Sequence, residues 1–154
     1  MEIRAKARRL KQRHNLKLIV IDYLQLMTSG KRVESRQQEV SEFSRNLKLL
    51  AKELNVPIIA ISQLNRSPEQ RADKKPMLSD LRESGSIEQD ADMVILLHRD
   101  DLYDNQNRSG EADLIVAKHR NGQTRTITVA AQLHFARFAD IAPAYSGGEN
   151  FVKD

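Results

Sequence analysis

Two short, mostly aliphatic runs, residues 18–21 and 56–61, flank a segment whose apolar residues recur at helical spacing. Within that segment, the apolar positions follow one another at intervals of three or four residues: Val40, Phe43, Leu47, Leu50 and Leu54. This spacing predicts the buried face of a helix, whereas uninterrupted aliphatic runs are typical of strands buried on both faces. The pattern therefore predicts a right-handed strand–helix–strand unit with parallel strands.

Capping and turn signals mark the ends of this helix. Ser35 followed by Gln38 is a capping-box pattern at its start. Asn55, shortly before Pro57, indicates its end. Residues 66–86 carry two prolines, a glycine and many charges without periodicity, so we expect a surface loop that is long enough to be functional.

Shorter patterns predict the remaining elements: a helix over 86–91, a third buried strand over 93–97, and strands over 112–118 and 124–131. Asn121-Gly122 between the last two strands is a hairpin-turn signal. Together the elements predict an α/β fold, with a mostly parallel sheet flanked by helices and a C-terminal antiparallel hairpin. We expect one domain over residues 1–140 and a flexible tail over 141–154.

Composition narrows the class of protein. The chain has 154 residues, 40% of them hydrophobic, which is enough for one domain with a substantial core. It contains no cysteine, which excludes disulfides and thiolate metal sites. No interior apolar run approaches a membrane span, and no signal-peptide core follows the basic N-terminus. We therefore expect a cytoplasmic protein without a membrane partner.

The net charge of +4 is located in one segment. Residues 1–14 contain six basic residues and one acidic residue, a local charge of +5, so the remainder of the chain is close to neutral. Ile3, Ala7 and Leu10 fall on one face of a predicted helix in this segment. An amphipathic surface helix with a solvated basic face is favoured over a DNA-binding arm, so the charge does not identify a partner.

A carboxylate and an amide follow the two predicted parallel strands. Asp22 comes directly after the first strand, where nucleotide hydrolases place an aspartate that binds Mg²⁺. Gln63 follows the second strand, and its amide has both a donor and an acceptor with which to sense a γ-phosphate or orient water. The alternatives are that Asp22 caps the following turn and that Gln63 satisfies loop backbone groups.

A basic triplet, Lys118-His119-Arg120, precedes the Asn-Gly turn. An arginine on a rigid hairpin can present its planar guanidinium to a phosphate in a neighbouring active site. Taken alone, such a triplet more often faces solvent.

The motifs, in this order and spacing, resemble those of the DnaB-type replicative DNA helicases of bacteria, in their RecA-like C-terminal motor domain. They are IDYLQLM at 21–27, ISQLNR at 61–66, DLRESG at 80–85 with EQDAD at 88–92, and AKHRNG at 117–122. The resemblance covers about residues 1–140. The sequences of residues 36–54 and 68–76 are similar to those of actinobacterial members of the family.

The resemblance implies roles in ATP hydrolysis. Asp22 would be the Walker B carboxylate that serves Mg²⁺, and Gln63 would sense the γ-phosphate of ATP and relay its state to the DNA loops. Lys118 and Arg120 would match the pair that reaches across a subunit interface to the γ-phosphate bound by the neighbour.

The resemblance also implies partners. Arg82, Glu83 and Gly85 would match the loop that grips the phosphates of single-stranded DNA, a grip that is independent of sequence and sensitive to salt. The family forms a homohexameric ring that moves 5′ to 3′ on DNA and meets a primase and a helicase loader. An arginine that acts on the ATP bound by a neighbouring subunit requires that ring.

One motif of the family does not occur in these residues. No Gly-x4-Gly-Lys-Ser/Thr P-loop is present, because the single Gly-Lys pair, Gly30-Lys31, has Gln25 in place of the first glycine and Arg32 in place of the hydroxyl residue. We therefore expect a chain that starts inside the motor domain with about half an ATP site, inactive alone. We also expect an open apolar sheet face or an unpaired strand edge, with association or poor solubility as the result.

Two further functions are compatible with the sequence. A non-enzymatic module derived from the motor would bind single-stranded DNA or support assembly without hydrolysing ATP. Another RecA-like ATPase, such as a recombination or clock-type protein, would share residues such as Asp22 and Gln63 at the strand ends. The sequence of residues 80–85 favours the helicases.

Overall fold

The first half of the chain folds into the predicted strand–helix–strand unit. The computed structural model describes residues 2–30, 35–81, 85–104 and 107–141. The first elements are α1 (Glu2–His14), β1 (Ile19–Ile21), α2 (Arg36–Leu54) and β2 (Ile58–Ala60). The two strands pair in parallel, with Ile19 opposite Ile58 and Ile21 opposite Ala60. The predicted parallel unit is therefore confirmed, with strands of three residues each.

Helix α2 begins and ends where the sequence indicates. The Ser35 hydroxyl accepts a hydrogen bond from the Gln38 backbone N–H at 3.2 Å, and Asn55 ends the helix in the left-handed conformation with a φ of 48°. All five apolar positions predicted for its inner face are buried: Val40, Phe43, Leu47, Leu50 and Leu54. The buried face explains why a helix of this composition is stable here.

The basic helix α1 packs on the end of α2. Ala7 is buried in a cluster with Leu50, Leu54 and Val56. The guanidinium of Arg4 donates to the Glu53 carboxylate at 2.6 Å, and Arg8 pairs with the same group. Ile3 packs against the cluster, but Leu10 is exposed, so the apolar face of α1 is shorter than predicted. The helix has the amphipathic character that the sequence favoured.

The second half of the chain forms an antiparallel sheet. Its elements are α3 (Gly85–Asp90), β3 (Met93–His98), β4 (Glu111–His119), β5 (Arg125–Gln132) and β6 (Arg137–Asp140). The strands pair in the order β3-β4-β5-β6. The α/β class and the β4–β5 hairpin are confirmed, while β3 pairs with β4 in antiparallel fashion and β6 was not predicted.

The aliphatic strands are buried on one face and open on the other. In β3, Val94 and Leu96 are buried, whereas Leu97 is 60% exposed. In the parallel pair, Val20 is 56% and Ile59 is 53% exposed. The expectation that these strands are buried on both faces is wrong for this chain. The open apolar face expected of a chain without the P-loop half is present.

The segment between β2 and α3 is ordered by one buried carboxylate. Asp80 is 1% exposed; its side chain accepts the Met77 backbone N–H at 2.8 Å and pairs with the guanidinium of Arg71. Burial acts to raise the pKa of Asp80, but the Arg71 and Met77 hydrogen bonds outweigh it and hold the pKa below its usual range. Residues 66–81 of the predicted surface loop are therefore folded, with two short 3₁₀ turns.

No helix in the described ranges is both long and apolar enough to cross a membrane. Most of the predicted tail, residues 142–154, lies outside the described residues. Domain bounds of 1–140 and 141–154 stay a prediction.

Candidate nucleotide and DNA site

Asp22 and Gln63 lie at the same edge of the parallel strand pair. Backbone hydrogen bonds of 2.9 Å, from Ile61 N to Ile21 O and from Leu24 N to Ile61 O, continue the pairing beyond the strands. Asp22 follows β1 immediately and Gln63 lies three residues beyond β2, and both side chains are exposed. The carboxyl edge of parallel strands is where α/β domains bind ligands.

The Asp22 carboxylate is available for a ligand. Among the described residues it makes no hydrogen bond or ion pair, and the 3₁₀ turn Leu24–Leu26 has Tyr23 at its N-cap with no side-chain cap. Within the described ranges, no three His, Asp or Glu side chains cluster as a self-contained metal site. A single carboxylate fits Mg²⁺ brought by a nucleotide, because Mg²⁺ keeps waters and takes its other ligands from phosphates.

A second glutamine, Gln25, holds the segment that carries Gln63. Its side-chain Nε2 donates to Ser62 Oγ at 2.9 Å and to the Gln63 carbonyl at 3.4 Å. Its Oε1 accepts the Gln63 backbone N–H at 3.2 Å. We assigned no role to Gln25 from the sequence. The available signal was a polar residue inside an apolar stretch, between Leu24 and Leu26.

The residues just before the predicted DNA loop are bonded to the segment that follows Gln63. Leu64 and Leu81 form an antiparallel bridge, and Asn65 N donates to Asp80 O at 2.8 Å. Gly85 begins α3 and is exposed. Arg82 and Glu83, the other predicted DNA-binding residues, lie outside the described residues.

Helix α3 is in turn fixed to α2. The Ser86 hydroxyl donates to that of Ser41 at 2.8 Å, and the Ser44 hydroxyl donates to the Asp90 carboxylate at 2.8 Å. The residues that flank the predicted DNA loop are thus held on two sides, by the segment after β2 and by α2.

Lys118 and Arg120 lie together at the C-terminal end of α3. Lys118 Nζ donates to the carbonyls of Glu88 and Gln89, at 3.2 Å for Gln89. Arg120 Nη2 donates to the Gln89 carbonyl at 3.3 Å, and its Nη1 lies 3.3 Å from Asp92 Oδ1. Cations are stabilised at helix C-termini by the exposed carbonyls.

The two predicted parts of the site are therefore held by different elements. Among the described residues, no hydrogen bond or ion pair joins Lys118 or Arg120 to Asp22 or Gln63. A hydrogen bond from Lys48, reinforced by the nearby Arg120, holds the pKa of Asp92 below its usual range. Asp92 is thus an ionised partner for the Arg120 guanidinium.

A separate charged cluster occupies the other end of β4. Both Nη atoms of Arg108 lie 2.8 Å from the buried Asp113 carboxylate, and Arg108 also pairs with Asp100 and Glu111. Thr128 donates to Asp113 at 2.8 Å. The Arg108 hydrogen bonds lower the pKa of Asp113 to about 2. Sequence reasoning missed this cluster, which ties the loop before β4 to the sheet.

A parallel strand pair followed by an exposed carboxylate and an exposed amide is typical of nucleotide-hydrolysing α/β domains. The family model for the DnaB-like helicase C terminal domain matches residues 1–140. The chain belongs to this family.

Individual relatives agree with the family match. The chain is 77% identical over 143 residues to the replicative DNA helicase DnaB of Mycobacterium leprae, covering 92% of this chain and 24% of that protein. The chain thus spans about a quarter of that relative. The identity to a mycobacterial protein agrees with the actinobacterial resemblance of the sequence.

Solved structures share the fold. One solved ATPase domain superimposes with a TM-score of 0.86 at 45% identity, covering 91% of this chain and 50% of that one. A DnaB-like replicative helicase, solved in a study of its interactions with primase, gives the same TM-score and identity and covers 91% and 35%.

Proposed function

We propose that this chain forms the C-terminal part of an ATP-dependent replicative DNA helicase motor and supplies about half of its ATP site. The observation that supports this most is the placement of Asp22 and Gln63 at one edge of the β1–β2 pair, in a member of the DnaB-like family. The name of the Mycobacterium leprae relative, a replicative DNA helicase, is in accord with this proposal.

In the proposed site, the exposed Asp22 carboxylate holds Mg²⁺, directly or through water. The ion would supply positive charge against the negative charge that develops on the phosphates in phosphoryl transfer. Gln63 contacts the γ-phosphate or the attacking water through its exposed amide. The P-loop, which these 154 residues do not contain, comes from another segment of the motor.

The proposed DNA contact is the loop from Arg82 to Gly85. A guanidinium and backbone N–H groups bind phosphate oxygens without reading sequence. The Leu64–Leu81 bridge supports this role, because Leu81, the residue before this loop, pairs with the segment that holds Gln63. A change at the γ-phosphate then has a short route to the DNA.

Lys118 and Arg120 act in trans in this proposal, at the γ-phosphate of a neighbouring subunit in a homohexamer. Their side chains are bonded to α3 and Asp92 and not to the strand ends that carry Asp22 and Gln63, which supports a role outside their own subunit. Primase is a proposed partner, since one structural neighbour was solved in a study of its interactions with primase. A loader is a further one, and the motor would act in the cytoplasm, moving 5′ to 3′.

A second function is compatible with these 154 residues, because they contain no P-loop motif. The chain would then be a non-enzymatic module that binds single-stranded DNA or supports assembly. It would bind single strands through Arg82 and would not contribute to ATP hydrolysis in any combination.

The test places this chain in a complete motor. The matching 143 residues of the Mycobacterium leprae relative are exchanged for those of this chain, and ATP hydrolysis by the chimera is measured with single-stranded DNA. We expect hydrolysis, and we expect Asp22→Asn to reduce it by about 10²-fold or more, because a charge that acts in the transition state is lost.

Asp140→Asn is the matched control, because Asp140 is an exposed carboxylate at the end of β6. It should leave the rate unchanged. Equal rates for Asp22→Asn and the unchanged chimera would reject the proposed role of Asp22. A chimera that binds single-stranded DNA but does not hydrolyse ATP would favour the binding module.

A further inference from the structure

The side chain of Gln25 extends the pairing between the two parallel strands. The backbone ladder reaches as far as the hydrogen bond between Leu24 N and Ile61 O. One step further, the Gln63 backbone N–H is bonded to the Gln25 side chain and not to a backbone carbonyl. The Gln25 amide thus takes the position of the next partner in the ladder.

The chemistry of the amide suits this position. A carboxamide has an acceptor oxygen and a donor nitrogen at a fixed separation. Its oxygen accepts the Gln63 N–H at 3.2 Å, while its nitrogen donates to Ser62 Oγ at 2.9 Å and lies 3.4 Å from the Gln63 carbonyl. Two consecutive residues are therefore held by one side chain, and the Gln63 side chain is left exposed.

Gln25 is itself held firmly. The guanidinium of Arg36 donates to the Gln25 carbonyl at 2.7 Å and to the Met27 carbonyl at 2.8 Å. Arg36 also pairs with the buried Glu39, which lies on the first turns of α2. The backbone of Gln25 is thus held by Arg36 of α2, while its side chain holds the segment after β2. The position of that segment therefore depends on the position of the end of β1.

We propose that Gln25 is a positioning residue, which sets Gln63 relative to Asp22 for ATP hydrolysis. This inference rests on the proposed roles of those two residues. Gln25 does not touch the nucleotide in this proposal. It fixes the backbone from which the Gln63 amide reaches the γ-phosphate, and displacements of about 1 Å in such groups can cost about 10²-fold in rate.

The test uses the chimera described above and the substitution Gln25→Leu, which keeps the size and removes the hydrogen bonds. We expect kcat to fall by about 10-fold or more, with little change in KM for ATP. Gln37→Leu is the matched control: Gln37 is an exposed glutamine at the start of α2, and the same substitution there should not change kcat.

A double substitution separates positioning from general stability. Gln63→Ala removes the sensing side chain but keeps the backbone N–H that Gln25 holds. In a Gln63→Ala background, Gln25→Leu should lower kcat by less than about 2-fold, because there is no longer an amide to position. The same fall in both backgrounds would overturn the inference and indicate a structural role.

Ser62→Ala provides a second variant that creates almost no cavity. It removes one hydrogen bond of Gln25, and a smaller fall in kcat that also depends on Gln63 is expected. An unchanged kcat in both Gln25→Leu and Ser62→Ala would reject the inference. If Asp22→Asn leaves hydrolysis unchanged, the proposed role of Asp22 fails; if it abolishes hydrolysis while Gln25→Leu does not change kcat, only this inference fails.

Discussion

Asp22 and Asp113 are both carboxylates placed by a strand, but they differ in what surrounds them. Asp113 is 3% exposed and bonded to Arg108 and Thr128. Asp22 is exposed and makes no hydrogen bond or ion pair within the described ranges. The first arrangement satisfies a buried charge and stabilises the fold. The second leaves a charge free for a ligand.

The Asp113 pair makes stability dependent on pH. The pKa of Asp113 is about 2 in the folded chain, below its ordinary 3.8. The stabilisation is therefore complete above about pH 4 and is lost as the pH falls from about 4 to 2. At pH 7, Asp113→Asn should lower the free energy of unfolding by about 1–3 kcal/mol.

Urea unfolding at pH 7 and at pH 3 provides the measurement. The difference between the parent chain and Asp113→Asn should shrink at the lower pH, because the parent is then losing the same charge. The control Asp140→Asn should show no such dependence. A difference that stays constant between the two pH values would contradict a lowered pKa of Asp113 in the folded chain.

The sequence locates some of these residues better than others. Asp22 and Gln63 could be found because each follows an aliphatic run, and a strand end is a local feature. The Arg108 cluster could not be found, since its partners extend from Asp100 to Thr128 and only the antiparallel pairing brings them together. Gln25 was passed over because its partners, Ser62 and Gln63, belong to the segment after the neighbouring strand.

Among the elements, α3 has contacts to both predicted functional regions. It starts at Gly85, the last residue of the predicted DNA loop. Its last carbonyls accept hydrogen bonds from Lys118 and Arg120. A helix of six residues thus begins at one predicted functional region and ends at the carbonyls that accept hydrogen bonds from the other.

Arg120→Ala should separate the motor from the binding module. If Arg120 acts at a neighbouring γ-phosphate, the substitution should lower ATP hydrolysis by the chimera by about 10³-fold. Single-stranded DNA binding should stay within about 2-fold of the parent, because the DNA contact assigned to Arg82 remains. Both quantities are measured on the same preparations, by a coupled ATPase assay and by fluorescence anisotropy.

Arg125→Ala is the matched control, an exposed arginine at the start of β5, and it should affect neither quantity. Unchanged hydrolysis in Arg120→Ala would reject the proposed role of Arg120 at the γ-phosphate of a neighbouring subunit. In that case, a loss of DNA binding in Arg82→Ala would favour the binding module.

The elements that the sequence predicted well are those with a long local pattern. Helix α2 has five apolar positions at helical spacing and a recognisable capping residue at each end, so the sequence predicts its bounds closely. β6 has four residues and follows a turn at Ala136, with no aliphatic run to reveal it. The direction of β3 was also missed, because it depends on pairing with β4 and not on the residues of β3.

At the scale of the whole molecule, the open faces of the strands are the main liability. Alternate residues of β1, β2 and β3 leave large aliphatic side chains in contact with water: Val20, Ile59, Ile95 and Leu97. Apolar surface of this kind favours association with other chains. We expect the isolated chain to self-associate.

Substitution of this face tests that expectation. Val20→Thr with Ile95→Thr keeps the β-branched shape and lowers the apolar area, so it should shift the sedimentation coefficient towards that of a monomer. Phe135→Thr is the control, because it removes an exposed apolar side chain that lies outside these strands, and it should not have this effect. A parent chain that sediments as a monomer and melts cooperatively would contradict the prediction.

The most direct test of the account is ATP hydrolysis by the purified chain with single-stranded DNA, alone and mixed with a P-loop-bearing segment of the Mycobacterium leprae relative. Size-exclusion chromatography establishes that the two form a complex. We expect hydrolysis in the mixture only, and loss of that hydrolysis with Asp22→Asn. Hydrolysis by the chain alone, or none from a stable complex, would contradict the claim that this chain supplies half of an ATP site.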